Sequence, residues 1–135
     1  MQTKYLRFIF FNYLISLFII AVLPLNSTSE SALVDVFVVN IRLDYLLHAI
    51  LFLPWVFLYL LNFRVAGLFD KLIMVGAGLL MAFATEGVQY FLTYRSYNIN
   101  DLLANWLGVL IGSFIFLTNI PHTVNTFLKK EKVKV

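Results

Sequence analysis

Four apolar runs, each near the ~20 residues that carry a helix across a bilayer, divide this chain. They fall at about 8–25, 45–63, 72–92 and 102–120. Little polar material is left over. The composition is 61% hydrophobic and 13% charged, with a mean hydropathy of +0.89. A soluble domain carries about 25% charged residues, so there is too little polar surface here to cover a water-soluble globule. The fold class that follows is all-α, a polytopic membrane protein built as a four-helix transmembrane bundle. One domain spans 1–135 and ends in a basic tail at 121–135. Pro54 predicts a kink in the second span and Pro121 ends the fourth. The first run follows Lys4 and Arg7, as a cleaved signal peptide would. It exceeds the usual signal core of about 7–15 residues and no Ala-x-Ala site follows closely, so it reads as the first span.

Positive charge sets the orientation. With four spans, Lys4, Arg7, Arg64, Lys71, Lys129, Lys130, Lys132 and Lys134 share one side, and only Arg42 and Arg95 lie on the other. Both termini and the middle loop are therefore expected in the cytoplasm, with the loops at 26–43 and 93–100 facing outward. The multi-pass protein would sit in the cytoplasmic (inner) membrane. The lysine tail reads as an anchor near anionic lipid, not as a nucleic-acid surface. The first outer loop carries Glu30 and Asp35, and its stretch at 34–39 is expected along the interface. There is no cysteine, which excludes disulfides, thiolate metal sites and thiol catalysis.

This topology brings the unusual polar residues to one level. Span two begins with Asp44 and His48, span three ends with Glu86 and Gln89, and span four begins with Asp101 and Asn105. Arg95 and Asn98 occupy the short outer loop between spans three and four. Asp44 and His48 are four apart and share a helix face. Glu86 and Gln89 share another, continued by Ala82 and Gly78. Asp101, Asn105, Gly108 and Gly112 form a single stripe. Gly108 and Gly112, four apart, let a second helix approach closely. The coincidence of polar and small-residue stripes turns the polar groups into the bundle.

Each residue also has a structural reading. Asp101 and Asp44 could cap their helices, His48 could be an interfacial histidine, and Arg95 could snorkel. Trp55, Tyr59, Tyr90, Tyr94, Tyr97 and Trp106 suit the membrane interfaces, and His122 a cytoplasmic end. Glu86 is the exception. An acid at mid-bilayer costs about 2.5–3.5 kcal/mol on insertion scales, so it needs a partner or a function. Arg95 is the expected partner and His48 the next.

The order Asp44-xxx-His48, then Glu86-xx-Gln89, then Arg95, then Asp101-xxx-Asn105-xx-Gly108-xxx-Gly112 resembles the VanZ-like family over roughly 44–112. The resemblance implies a bacterial integral membrane protein. The family's namesake is associated with resistance to teicoplanin, a glycopeptide antibiotic. It implies no particular reaction.

Three functions suit these residues. An outer pocket could bind or remodel a membrane lipid head, a lipid-linked cell-wall precursor or a lipoglycopeptide. Arg95 would then meet an oxyanion, with Asp44, Gln89, Asn98, Asp101 and Asn105 around it. An intramembrane enzyme would instead use His48 or Glu86 as catalytic acid or base. There Asp44, His48, Glu86 and Asp101 would also suit a divalent cation, although no cofactor is assigned. A scaffold would use the same set to lock helices together. A transporter fits less well, because four short spans with no polar midplane give no path unless the chain oligomerises.

The cysteine-free sequence makes topology directly testable. Thr93→Cys is expected to react with a membrane-impermeant maleimide on intact cells, and Ala66→Cys only after permeabilisation. The reverse labelling pattern would overturn the orientation.

Overall fold

The structure, a computed structural model, describes residues 2–24, 37, 38, 41–95 and 97–119. The tail at 121–135, His122, Glu30 and Asp35 lie outside the described residues, as does most of the 34–39 stretch. Helix α1 is Gln2–Val22, α2 is Leu43–Phe52, α3 is Trp55–Asn62, α4 is Leu68–Gln89 and α5 is Ile99–Asn119. A two-residue antiparallel pairing precedes α2: β1 (Phe37–Val38) aligns with β2 (Ile41–Arg42), with Phe37 opposite Arg42. Counting α2 and α3 as one interrupted span, four helices are long and apolar enough to cross a membrane.

The interruption falls where proline predicts it. Pro54 has no N–H to donate, so the ladder loses a bond at this turn. The helix restarts immediately, with the Leu58 N–H on the Pro54 carbonyl at 3.0 Å. Helix α4 starts at Leu68 because the Asp70 carboxylate reaches back to the Ala66 and Gly67 N–H groups, at 2.9 and 3.1 Å. This is the capping role that an acid in the first turn fills. Each helix begins before its apolar run, since polar residues of the first turns belong to the helix though not to the hydrophobic stretch. At the other end, α4 stops at Gln89, earlier than the apolar run suggests. Glu86 is consequently about one turn from the helix end.

Helix α5 is the hub. It packs on α2, α3 and α4, while α1 rests on α3 and α4. In lipid no hydrophobic force draws helices together, so close backbone approach and van der Waals packing must hold the bundle. The glycine stripe of α5 provides that approach. A β-carbon on Gly108 would collide with the Ala49 carbonyl of α2, and one on Gly112 with the Leu53 carbonyl. A third contact is made by Gly78 of α4, where a β-carbon would lie 2.6 Å from Trp55 Nε1 and 2.9 Å from Val109 Cγ1.

Trp55 therefore lies inside the bundle, away from the interface expected for it. It is buried against Phe10 and Tyr59, and its N–H donates to the Met74 carbonyl at 2.9 Å. Trp106 likewise turns inward to the Leu79 carbonyl at 3.2 Å. Each indole finds an acceptor on α4, which a purely apolar environment would deny it. Tyr90, Tyr94 and Tyr97 do remain exposed at one end of the bundle. The outer surface is apolar, with Phe8, Phe11, Leu72, Leu80, Leu107 and Phe114 exposed, while Thr85, Glu86, Gln89, Asn105 and Ser113 are buried. Apolar residues outside and polar ones within is the arrangement lipid demands.

Gly108→Ala and Gly112→Ala are each expected to lower stability in detergent by about 1–3 kcal/mol, the usual cost of overpacking. Gly76 has nothing within 4 Å of the position a β-carbon would take. Gly76→Ala should thus be neutral or gain up to about 1 kcal/mol. Equal thermal unfolding of Gly108→Ala and Gly76→Ala would refute the close-approach account.

Candidate functional site

The close approach of α2 to α5 sets His48 beside Asn105. His48 Nδ1 donates to Asn105 Oδ1 at 3.0 Å. The amide oxygen can only accept, so Nδ1 carries a hydrogen, and Nε2 faces Asp101 Oδ2, 3.8 Å away. Helix α4 adds Glu86, Gln89 and Thr85 from its buried stripe. Thr85 satisfies its own hydroxyl on the Ala82 carbonyl at 2.9 Å.

Asn98 joins the loop to both helices. Its Oδ1 accepts the Asn100 N–H at 3.0 Å, and its Nδ2 donates to Asp101 Oδ1 at 3.1 Å. Its carbonyl takes the N–H groups of Asp101 and Leu102. The capping role considered for Asp101 thus falls to Asn98, while Asp101 sits in the first turn with its carboxylate in the cluster. Asp44 does not cap either. The residue before α2 has no side-chain cap, and Asp44 lies one position inside the helix. Its Oδ1 takes its neighbour Tyr45's N–H at 2.9 Å, and its carboxylate is gripped at both oxygens by Arg42. The Arg42 guanidinium also stacks 4.5 Å from the centre of the Tyr45 ring. The hydrogen bonds to Asp44 push the already high Arg42 pKa further up.

The expected Glu86–Arg95 pair is not formed. Glu86 Oε1 accepts the Asn98 N–H at 3.2 Å, and Oε2 has no hydrogen-bond partner among the described residues. His48, engaged with Asn105, does not pair with Glu86 either. Arg95 turns to the end of α1, where its Nη2 donates to the Ile20 carbonyl at 3.2 Å, and its buried Nε is unpartnered among the described residues. The reason lies in α1. Its last carbonyls have no helical donor, and no basic residue occupies its last turn. Tyr94 and Arg95 supply donors instead, Tyr94 through its hydroxyl to the Val22 carbonyl at 2.9 Å.

All eight polar residues singled out in the sequence line one cavity of about 260 Å³ at this end of the bundle. They are Asp44, His48, Glu86, Gln89, Arg95, Asn98, Asp101 and Asn105. Further contributors were not foreseen. Arg42 was read only as a loop charge, though its spacing two residues before Asp44 was visible. Thr85, one residue from Glu86, was passed over as an ordinary helix residue. Leu17, Ile20 and Ala21 of α1 form an apolar side of the cavity that no local signal marks. Among the described residues no three His, Asp or Glu side chains converge as metal ligands do. The four-residue ligand set considered from sequence is therefore not assembled.

Four apolar spans around a gathered polar cluster define a multi-pass α-helical membrane protein. The chain matches the VanZ/LLP1 family over residues 6–120 and belongs to that family. The relationship thus reaches beyond the 44–112 core to include the first helix. Neither curated proteins nor solved structures provide a match.

Asn98→Ala is expected to lower stability by about 1 kcal/mol through loss of the α5 cap, and Asn98→Ser, which keeps a capping oxygen, by less. Thermal unfolding of the two variants in one detergent checks this. Indifference of both to substitution would remove Asn98 from its joining role.

Proposed function

We propose that this protein sits in the bacterial cytoplasmic membrane, with both termini inside, and binds the head group of a membrane amphiphile in its outward-facing cavity. One observation carries the reading: of the two guanidiniums lining the cavity, Arg42 is neutralised by Asp44, whereas Arg95 has no carboxylate within ion-pair distance among the described residues. A planar guanidinium with unused donors suits a phosphate oxygen. At about 260 Å³, the cavity falls just below the ~300–1,000 Å³ typical of sites for drug-sized ligands. That suits a head group whose chains stay in the bilayer. Leu17, Ile20, Leu47 and Leu51 give the cavity an apolar flank on α1 and α2, along which a chain can leave. Lipid-linked cell-wall precursors share this chemistry, an oxyanion on a long apolar chain. Binding one would connect the protein to glycopeptide susceptibility.

A catalytic reading is favoured by a separate feature. His48 Nδ1 is bonded to Asn105 Oδ1, and its Nε2 faces Asp101 Oδ2 at 3.8 Å. This is an arrangement in which histidine serves as a general base.

Binding of dihexanoyl phosphatidylethanolamine to the detergent-solubilised protein can be followed by titration calorimetry below the lipid's critical micelle concentration. Arg95→Ala is expected to weaken it at least about tenfold, the scale of one charge-assisted hydrogen bond. Arg42→Ala should weaken it less. Unchanged affinity for Arg95→Ala would sink the head-group reading.

A further inference from the structure

The same cavity holds an acceptor that no donor among the described residues answers. Glu86 is 0% exposed, and it lines the cavity with Oε1 bound to the Asn98 N–H and Oε2 bound to no donor among the described residues. A buried carboxylate oxygen without a donor is costly, because its desolvation is uncompensated. The neighbours do not relieve it. His48 spends its Nδ1 hydrogen on Asn105, Arg95 turns to Ile20, and no lysine is among the residues lining the cavity.

The charge balance points the same way. Among the described residues, three carboxylates and two guanidiniums line the cavity. Arg42 and Asp44 cancel each other, which leaves Glu86 and Asp101 facing Arg95, with His48 Nε2 3.8 Å from Asp101. A head group that is only anionic would satisfy Arg95 and add negative charge beside two acids. A head group with a phosphate and a nearby ammonium adds no net charge, and its N–H groups supply donors. Resting on the head-group reading above, we infer that the cavity selects a phosphate-linked primary amine, with the phosphate on Arg95 and the ammonium on Glu86 Oε2. Asp101 adds a second favourable charge to the ammonium from the facing helix. The substrate class is thus an amine-bearing, zwitterionic phospholipid head of the phosphoethanolamine kind.

The test keeps the phosphate and chains constant and changes only the amine. Full-length protein in detergent is titrated with dihexanoyl phosphatidylethanolamine, its N-methyl and N,N-dimethyl derivatives, phosphatidylcholine and phosphatidylglycerol. The first four keep one positive charge while the N–H donors fall from three to none. Affinity should fall along the methylation series by about tenfold in all, with phosphatidylglycerol weakest. Glu86→Gln should erase the preference for ethanolamine over glycerol, and the wild-type series decides the matter by itself if that variant does not fold. Equal affinity for all five lipids, with Arg95→Ala still weakening binding, overturns the amine assignment and leaves the head-group reading standing. Insensitivity to Arg95→Ala overturns the head-group reading itself. Free phosphoethanolamine as competitor separates the two sources of such a head. Displacement supports recognition of the head from either source, and no displacement with the lipid preference intact supports the lipid alone.

Discussion

Helices in lipid gain nothing by hiding apolar side chains from one another, so their backbones must come close enough for packing to hold them. In this chain the decisive approach is that of α2 to α5, where Gly108 meets the Ala49 carbonyl and Gly112 the Leu53 carbonyl. Any side chain at those glycines would push α2 away. The contact does more than bind two helices. Gly108 and Asn105 lie one turn apart on α5, and His48 adjoins Ala49 on α2. Seating the backbones therefore seats the imidazole on the amide at 3.0 Å. The packing contact and the polar contact are two parts of one interface.

From that interface the cluster is completed by elements whose own needs are backbone needs. Asn98 caps α5 and, by the same placement, presents its N–H to Glu86. Arg95 and Tyr94 serve the free carbonyls at the end of α1, which docks a helix that otherwise touches mainly α3 and α4. Arg42 clamps Asp44 at the start of α2. After these obligations two groups of the cavity remain incompletely used among the described residues, the Arg95 guanidinium and the second oxygen of Glu86. Proteins tolerate such groups in a low-dielectric interior where function requires them.

Much of this was legible in advance because periodicity acts locally. Four apolar runs specify four spans whatever their neighbours do. The four-residue steps from Gly78 to Ala82 to Glu86, and from Asn105 back to Asp101, specify which faces turn inward, and those residues do face the interior. The spacing of Gly108 and Gly112 announced a close partner without naming it. Pro54 announced a break, since a missing N–H interrupts the ladder in any fold.

Pairing was another matter. Nearness in sequence suggested Arg95 for Glu86, but the side chain went to a carbonyl on α1 some 75 positions away, at Ile20. No local pattern encodes that contact, because a helix end in need of donors is known only once another element arrives beside it. Trp55 and Trp106 turned inward for the same reason, each meeting a carbonyl of α4 that only the assembled bundle provides. The sequence by itself determined the spans, their inward faces and the gathering of polar residues at one end, because each follows from hydropathy and helical period. The tertiary structure alone decided which donor meets which acceptor, and so which guanidinium nitrogen and which carboxylate oxygen lack a partner among the described residues, because hydrogen bonds are settled by positions in space.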